Sequence, residues 1–581
     1  MSLLKSKKFL FSFYILLIFV INIIQSAYTE LIDDEAYYWL WAQKLDWGYF
    51  DHPPMVALWI KISQFFFEGE LGVRFFSAFM FGGTVFFIWK LIDFKEKENH
   101  IHLFFLLLTS VILFNVYGFI TVPDTPLFFF AALFLFSYKR FLETDSFKMS
   151  LLLGFAMAGM LYSKYHGILV IVFVVLSNLE LLKKRSFWMA CLCGLILLLP
   201  HIYWQYNNDF PSIIYHLNRS KKLYQFKFTL LHFFNQILIV GLAFPVLYYA
   251  FFKSRFKDKV NRAMLFILVG FIGFFFLSTF KTSTQPQWTA IIVIPIIVVT
   301  FPYLIKHKKV QKIFIVLGCL NLLALIYFRA SLANENIAFY RWETHGNKQW
   351  ALELQKNTQS LPVVFEDSFQ NASKYKFYTG VETFSYNSLY YRQNQYDLSG
   401  YEDKLQGQTV YTVGNNKKWA LARQKNNELP NYKKGNIDLG KQLFKKGNKI
   451  YYGSKIDTFL TYKHLKCVIK NIPIDLRNIK NYNLEFDLIN TYNNKIDLKH
   501  VTFYGIFQTK KHKITSILKL NVKEIDSINN LKNLWPQKTY KMKAVLKTPL
   551  NISSNTVSFR LGLGFYNLPP GFEGNPVKII Y

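Results

Sequence analysis

The sequence predicts a polytopic α-helical membrane protein whose C-terminal half lies outside the membrane as an α/β region followed by a β-sandwich. Of its 581 residues 52% are hydrophobic, and they gather in blocks that almost all precede residue 330. Each block is about 16–22 residues long, which is the length that crosses a hydrocarbon core of ~30 Å. From about residue 455 onward short alternating runs follow one another, separated by turns rich in Asn, Asp and Gly, as in an antiparallel sheet.

Eleven apolar runs make up the membrane part. They lie at about 9–25, 72–92, 101–119, 126–138, 150–162, 167–182, 187–204, 229–252, 263–280, 288–304 and 312–329. We interpret the first run as a retained span, because no small-residue cleavage site of a signal peptide precedes Asp33. The sequence therefore predicts about eleven spans.

The segments that connect the runs alternate in charge and set the orientation. The basic ones are Lys5–Lys8, Lys95–Lys97, Lys139–Arg140, Lys183–Arg185, Lys253–Arg262 and Lys306–Lys309. By the positive-inside rule these segments lie in the cytoplasm. We expect a multi-pass protein of a bacterial inner membrane, with a cytoplasmic N-terminus and a periplasmic or extracytoplasmic C-terminal half.

The formal net charge of +32 does not indicate a nucleic-acid partner. A nucleic-acid binder gathers its basic residues on one soluble face or arm, whereas many of these residues lie in short clusters between apolar runs. Four cysteines make no disulfide framework, and Cys191-x-Cys193 lacks the spacing of a zinc site. We therefore predict no nucleic acid and no cysteine-based metal site.

The outer loops carry acidic residues that topology does not explain. In the first outer segment, 26–71, these are Glu30, Asp33, Asp34, Glu35, Asp46 and Asp51, and the next outer turn carries Asp124. The same segment has an aromatic stretch, YYWLW, suited to a helix lying in the membrane interface. A pair of anchoring helices would explain the aromatic residues, but not three consecutive acids at a membrane edge. A carboxylate there can act as a general base toward an acceptor hydroxyl.

A lipid phosphate as leaving group would need cations on the same side. The outer segments offer His52, Lys164, His166, His216, Arg219, Lys221 and Lys222. Lys164 stands in LYSKYHG between two apolar runs, where an ionisable residue suggests function, although snorkelling to the interface would also explain it. Asp124 stands in VPDTP, where function competes with a simple turn and helix cap.

Five motifs, in order, resemble those of a known family. DDEAYYWLWAQ, GYFDHPPMVA, GVRFF, VPDTPLFFF and LYSKYHG are similar to segments of the bacterial relatives of protein O-mannosyltransferases and lipid A aminoarabinose transferases. The resemblance covers roughly residues 1–330, and YHLNR and PQWTA fit more loosely. It implies a C-type glycosyltransferase fold, polyprenyl-phosphate-sugar donors, and transfer with inversion to a glycolipid, polysaccharide or protein.

The resemblance also assigns roles to residues. Asp34 matches the family's catalytic acid at the end of the first span, and Glu35 and Asp124 match its acidic companions. Asp51-His52 stands where the aminoarabinose transferases have Glu-Lys before proline.

By that match the donor phosphate would be bound by His52, Lys164 and Arg219, joined by Arg74 of GVRFF. Asp51 and His216 would be metal ligands, for zinc or manganese, although two ligands do not make a site. A histidine in place of the lysine would make the phosphate contact depend on pH, since an unperturbed histidine titrates near pH ~6.5.

The C-terminal half falls into two predicted domains after the membrane domain of residues 1–330. Residues 331–454 read as an α/β domain, with a strand at LPVVFED, a helix at SFQNASKYKFYTG and a strand at QTVYTVG. Residues 455–581 read as a β-sandwich, which could bind carbohydrate or acceptor or only shield the site.

Three other functions compete with the enzyme. A transporter or flippase for lipid-linked sugars would also need spans and outer cations, but it should carry polar residues near mid-span and often a repeated half. A membrane-anchored adhesion module would need one span rather than about eleven. An inactive relative remains open, although the full set of acids and cations speaks against it.

Overall fold

The computed structural model describes residues 7–219, 224–389, 391–414, 441–446, 449–459, 461, 465–470, 474–475, 481–491, 493, 495–498, 501–509, 514–525, 533–547, 556–565, 568 and 571–580. These residues form two compact units, Met1–Asn347 and Lys348–Tyr581. The first unit is helical, and the second contains the strands.

The helices of the first unit follow the apolar runs. They are α1 (Lys7–Tyr28), α2 (Asp33–Ala42), α3 (Met55–Ser63), α4 (Gly69–Leu91), α5 (Ile101–Ser110), α6 (Ile112–Val116), α7 (Asp124–Thr144), α8 (Phe147–Ser163), α9 (Gly167–Ser177), α10 (Arg185–Asn207), α11 (Pro211–Arg219), α12 (Phe226–Val240), α13 (Phe244–Lys253), α14 (Lys259–Ser278), α15 (Pro286–Thr289), α16 (Val293–Lys306) and α17 (Lys308–Ala333). Short 3-10 turns join α12 to α13 and α15 to α16. Each predicted run therefore contains a helix.

Eight helical segments in the described residues are long and apolar enough to cross a membrane. They are α1, α4, α7, α10, α12–α13, α14, α15–α16 and α17. The other three predicted runs form shorter helices: α8 and α9 have 17 and 11 residues, and the run at 101–119 is split into α5 and α6 at Val111. The membrane fold is confirmed, whereas the count of eleven spans is not.

Two breaks in these helices are satisfied by one side chain, Asn321 of α17. Its Nδ2 donates to the carbonyl oxygens of Ser110 and Val240, each at 3.0 Å, and its Oδ1 accepts from the Leu242 N–H at 2.7 Å. Gly241 has φ +80°, and a Cβ there would meet the Asn321 side chain at 2.6 Å. Because lipid offers no hydrogen bonds, broken helices persist there only where protein groups replace the lost bonds.

The aromatic stretch of the first outer segment forms a helix whose rings are largely buried. In α2, Tyr37, Tyr38 and Trp41 are 1%, 5% and 0% exposed. Trp41 stacks on Tyr49 with the ring centroids 4.5 Å apart. The rings thus pack against the loop that follows α2, and the expectation that this helix lies in the membrane interface stays a prediction.

The chain turns back on itself after α17. Trp342 Nε1 donates to Ser331 Oγ at 3.0 Å, and Thr344 Oγ1 donates to the Leu332 carbonyl oxygen at 2.8 Å. Leu332 and Trp342 pack with Phe119 in a small apolar cluster. Residues 334–347 thus belong to the membrane unit, and residue 330 falls inside α17.

The second unit begins with a small α/β sheet in the order β2-β1-β3-β5-β4. Its elements are α18 (Asn347–Asn357), β1 (Val363–Glu366), α19 (Phe369–Thr379), β2 (Thr383–Tyr386), α20 (Gln395–Leu398), β3 (Val410–Gly414), β4 (Lys441–Lys446) and β5 (Lys449–Ile456). Strands β2, β1 and β3 are parallel, with α19 as the crossover, and β5 and β4 continue antiparallel.

Two larger sheets follow and enclose an apolar core, beside a small two-stranded sheet. The strands of this region are β6 (Leu465–Ile469), β7 (Ile474–Asp475), β8 (Asn481–Asn490), β9 (Ile496–Asp497), β10 (Val501–Thr509), β11 (Ile514–Leu520), β12 (Val522–Glu524), β13 (Asn533–Leu534), β14 (Thr539–Lys547), β15 (Thr556–Phe565) and β16 (Gly571–Ile580). Strands β9 and β13 form the two-stranded sheet, and β7 lies parallel to β16, whereas the other pairs are antiparallel. Of the two larger sheets, one has the order β11-β10-β15-β16-β7 and the other β12-β14-β8-β6. Phe486, Leu488, Phe507 and Phe559 pack between them. The predicted β-rich C-terminal region is thus confirmed, and the boundaries at residues 330 and 454 stay predictions.

Candidate active site

Glu35 and Arg74 form a fully buried ion pair on the predicted outer side of the membrane unit. Both side chains are 0% exposed. Arg74 Nε donates to Glu35 Oε1 at 2.7 Å, and an Arg74 Nη donates to Glu35 Oε2. The guanidinium also donates to the carbonyl oxygens of Ser26, Thr29 and Glu30. All of these contacts are internal to the protein, and the assignment of Arg74 to the donor phosphate stays a prediction.

The same carboxylate fixes the turn that carries Asp124. Glu35 Oε1 accepts from the Thr121 N–H at 2.9 Å, and Thr121 Oγ1 donates to Ser77 Oγ at 2.8 Å. Ser77 lies on α4, one turn after Arg74. Glu35 thus ties together the first turn of α2, helix α4 and the turn before α7.

Asp34 is an exposed acid in the first turn of α2, next to the buried Glu35. It lies beside Glu35 in the first turn of α2, where seven of ten residues are buried. A carboxylate in the first turn of a helix is stabilised in its charged form by the helix dipole. The resemblance assigned the catalytic role to Asp34, and the structure places it in the first turn of a largely buried helix as an exposed residue.

Asp124 and Lys164 bind each other directly. Lys164 Nζ donates to both carboxylate oxygens of Asp124 at 2.8 Å, and the two residues are 6% and 5% exposed. Asp124 begins α7, and Lys164 directly follows α8. The sequence assigned them to the catalytic acids and to the phosphate cations, and the structure pairs them. Two of the three ammonium protons are used, so one N–H remains for a phosphate oxygen.

A polar chain holds the loop after α2 against α10 and α11. His201 Nδ1 lies 2.7 Å from the Trp47 carbonyl oxygen, and His201 Nε2 lies 3.1 Å from Tyr165 Oη. Gln205 Nε2 donates to both Tyr165 Oη and Ser212 Oγ. Since a carbonyl oxygen only accepts, a neutral His201 carries its proton on Nδ1 and accepts from Tyr165. Burial raises the pKa of Tyr165 to about 12, so this hydroxyl keeps its proton.

The rings of His52 and His216 contact each other. Their ring centroids are 6.0 Å apart, and the His216 ring also lies against Tyr165, which neighbours Lys164. His52 in turn lies 6.1 Å from the Tyr38 ring of α2. These ring contacts and the bonds of Glu35 connect α2, the loop at His52, α11 and the segments at 121–124 and 164–166 into one region. The side chain of Arg219, the last residue of α11, lies outside the described part of the chain.

The two predicted metal ligands, Asp51 and His216, meet through the backbone carbonyl group of Asp51. His216 Nε2 lies 3.0 Å from the carbonyl oxygen of Asp51, whose residue is 5% exposed. Within the described ranges, no group of three or more His, Cys, Asp or Glu side chains could hold a metal ion. The zinc or manganese site at Asp51 and His216 therefore stays a prediction, and the chemistry below is derived without it.

A reciprocal clasp joins the acidic loop to the segment after α17, and sequence reasoning missed it. Glu30 accepts from the Asn347 backbone N–H through Oε2, and Glu343 Oε2 accepts from the Asp33 backbone N–H at 3.3 Å. Asn347 Nδ2 donates to the carbonyl oxygens of Glu343 at 2.6 Å and Leu31 at 3.4 Å. We call these contacts the 30–347 clasp. Each acid caps the first N–H group of a helix, α2 or α18.

Two sequence comparisons find similar proteins. A family model described as dolichyl-phosphate-mannose-protein mannosyltransferase matches residues 51–204. The lipid A galacturonosyltransferase RgtD of Rhizobium johnstonii is 24% identical over 197 residues, which are 32% of this chain and 40% of that relative.

Solved structures show the fold. ArnT from Cupriavidus metallidurans matches in its apo state with a TM-score of 0.56 at 10% identity. The same protein bound to undecaprenyl phosphate matches with a TM-score of 0.52 at 13% identity. Each match covers 76% of this chain and 97% of ArnT.

These findings support the predicted similarity to the bacterial relatives of protein O-mannosyltransferases and lipid A aminoarabinose transferases. The chain has the C-type glycosyltransferase fold. Within the described residues, its eight long apolar helices are those of a multi-pass membrane protein. The matched region spans less than half the length of RgtD, and the family match ends at residue 204, before α11.

Proposed function

We propose that this protein moves a sugar from a polyprenyl-phosphate carrier to a hydroxyl of an acceptor on the outer face of the inner membrane, with inversion. One observation carries the proposal: an exposed carboxylate, Asp34, stands on a helix end that the buried Glu35–Arg74 pair fixes in place. A general base must sit within hydrogen-bond reach of the proton that it removes, so a fixed backbone and an open side chain suit that role.

In this proposal Asp34 takes the proton of the acceptor hydroxyl. The hydroxyl oxygen attacks the anomeric carbon as the bond to the carrier phosphate breaks, and the carrier leaves as a polyprenyl phosphate. A single displacement inverts the anomeric configuration. Glu35 is too deeply bonded to take part, so we assign it a positioning role together with Arg74.

Lys164 would stabilise the leaving phosphate. Its ammonium group is held by Asp124 at 2.8 Å, so it is oriented before the donor arrives. Preorganised cations at a developing negative charge supply much of the rate enhancement in such reactions. His52 and Arg219 would add to this site, since His52 contacts His216 of α11, the helix that ends at Arg219.

The comparisons support a choice of carrier and acceptor. One matched structure holds undecaprenyl phosphate, and the curated relative is named for transfer to lipid A. We therefore propose an undecaprenyl-type phosphate sugar as donor and a lipid A-type glycolipid as acceptor, ahead of a polysaccharide or a protein. The transporter is not favoured by these relatives.

The test is transfer from radiolabelled polyprenyl-phosphate sugars by the purified protein in lipid nanodiscs, with a panel of acceptors. Asp34→Asn should lower the rate by about 10²–10⁴-fold, the usual contribution of a general base. Asp46→Asn is the matched control, because Asp46 is an exposed acid of the same segment.

Full activity of Asp34→Asn in a folded protein would reject Asp34 as the base. An equal loss in Asp46→Asn would mean that any acid of this segment matters only through general charge. Movement of the carrier lipid across a bilayer without transfer to any acceptor would replace the enzyme by a transporter.

A further inference from the structure

The outward face of the four-stranded sheet of the sandwich is rich in lysine. On β14 the exposed and buried residues alternate strictly, so that Lys541, Lys543 and Lys547 point away from the core. The same outward face of the four-stranded sheet takes in Lys523 of β12, Lys466 of β6 and the adjoining Lys470. We call these six residues the lysine face. Among the described outward residues of this sheet the carboxylates are Glu485 and Asp487 of β8.

The lysine face brings two lysines together across neighbouring strands. Lys523 stands directly opposite Lys543 in the β12–β14 pairing. Like charges in that position destabilise an antiparallel pair. On the other side of β14, Asp487 stands opposite Lys541 and Glu485 opposite Lys543, and Asp487 also binds Lys470 at 2.6 Å. Six lysines against these two carboxylates leave the described face with an excess of positive charge.

The two sheets of the sandwich differ in what lies over them. Strand β10 of the five-stranded sheet is buried on both faces, with Tyr504 and Ile506 packed against Leu389. The four-stranded sheet keeps its outward face exposed, with two apolar side chains, Val468 and Val545, among the lysines at 46% and 52% exposure. The open face is therefore the basic one.

The geometry of the strands sets the spacing of the charges. Alternate residues of a strand lie ~6.6–6.8 Å apart, and neighbouring strands ~4.8 Å apart. Lys541 to Lys547 thus spans ~20 Å on a nearly flat surface. Lysine presents a compact ammonium charge on a flexible stem, which suits phosphate groups of varied position better than one fixed bidentate partner.

We propose that the lysine face docks the acceptor, a glycolipid that carries phosphate groups. This inference rests on the proposed function and names the class of acceptor. The exposed valines add apolar contact beside the charges, as expected of a surface that receives an amphipathic ligand. The interaction is electrostatic and solvent-exposed, so salt should weaken it.

The test compares wild type with Lys541→Gln/Lys543→Gln/Lys547→Gln, as full-length proteins in nanodiscs of neutral lipid. The acceptors are bisphosphorylated lipid A and the same lipid after enzymatic removal of its phosphates. The triple variant should raise the KM for the phosphorylated acceptor on the order of tenfold, since it removes three exposed charges that each contribute modestly to binding. Its kcat and its KM for the phosphate-free acceptor should stay as in wild type.

The matched control is Lys356→Gln/Lys404→Gln/Lys519→Gln, three exposed lysines elsewhere in the same unit. An equal rise in KM for this control, or for the phosphate-free acceptor, would overturn the proposal. So would a defect seen only in nanodiscs made with anionic lipid, which would assign the face to the bilayer surface.

Direct binding of radiolabelled acceptor separates the two proposals. Wild type that transfers no sugar but binds phosphorylated lipid A more tightly than the triple variant would reject the transferase and support the docking face. If wild type transfers sugar, but wild type and the triple variant bind the acceptor equally tightly, the transferase is supported and the docking face is rejected.

Discussion

At the scale of single residues, the site is organised by charges that are matched inside the protein. Arg74 uses its planar guanidinium to bind both oxygens of Glu35 and three backbone carbonyls at once. A lysine has three donors and no fork, so it could not replace this arginine. Removing either partner would leave a buried charge unpaired, at a cost of about 3–5 kcal/mol.

His52 should make donor binding depend on pH. A histidine carries the charge that holds a phosphate only below its pKa, which is ~6.5 when unperturbed. The KM for the donor should therefore rise as the pH rises through this range, because the cation is lost. In His52→Lys the charge persists to about pH 10, and the KM should stay flat between about pH 5.5 and 8.

The measurement is the KM for the polyprenyl-phosphate sugar across that range, with His307→Lys as control. His307 is an exposed histidine between α16 and α17, on the predicted cytoplasmic side. The same pH dependence in wild type and His52→Lys would show that His52 does not contact the phosphate.

At the scale of elements, the position of α2 depends on both ends of the membrane unit. Its first turn is held from inside by Glu35 and from outside by the 30–347 clasp. Asn347 is fully buried and closes the clasp through its side chain. The segment after α17 thus helps to set where the Asp34 carboxylate lies.

Asn347→Ala should lower kcat several-fold with little change in the KM for the donor. The substitution leaves two carbonyl oxygens without their donor, at about 1–3 kcal/mol for buried groups, and loosens the end of α2. The matched control is Asn336→Ala, an exposed asparagine in the same segment. Steady-state kinetics and thermal unfolding in detergent are the two measurements, and an equal kcat in both variants would contradict a positioning role.

At the scale of the whole molecule, the membrane helices could be predicted from the sequence because the bilayer constrains their length and composition. The length and composition of a membrane helix are imposed by the hydrocarbon core, so every predicted run contains a helix. The partners within the site could not be read in the same way. Glu35 and Arg74 are 39 residues apart, Asp124 and Lys164 are 40 apart, and Glu30 and Asn347 are 317 apart. Which distant residues meet depends on how the helices pack, and no local pattern encodes that.

The same contrast applies to α2 and to the two C-terminal sheets. Their alternating and aromatic patterns predicted the type of element correctly. Whether the rings of α2 face lipid or protein depends on the loop that covers them, and Tyr49 supplies that cover. For Lys164 the residue type and its place at the membrane edge suggested a function, whereas Asp34 was singled out among the acids by the family resemblance.

The predicted orientation can be tested by labelling with a membrane-impermeant maleimide. In a protein whose four cysteines are replaced by alanine, Lys44→Cys should react in intact spheroplasts, whereas Lys95→Cys should react only after the membrane is opened. Both positions are exposed, in the segment after α2 and in the one after α4. Labelling of Lys95→Cys from outside would reverse the topology.

The pairing of Lys164 with Asp124 has a consequence for selectivity. Inorganic phosphate and other small anions surround the outer face of a bacterial membrane, and a bare buried ammonium group would capture them. Because Asp124 already neutralises the lysine, a free anion gains little by entering. A phosphate that arrives on a polyprenyl chain brings the added attraction of its tail for lipid, so the matched pair would admit the carrier while ignoring the salts of the medium.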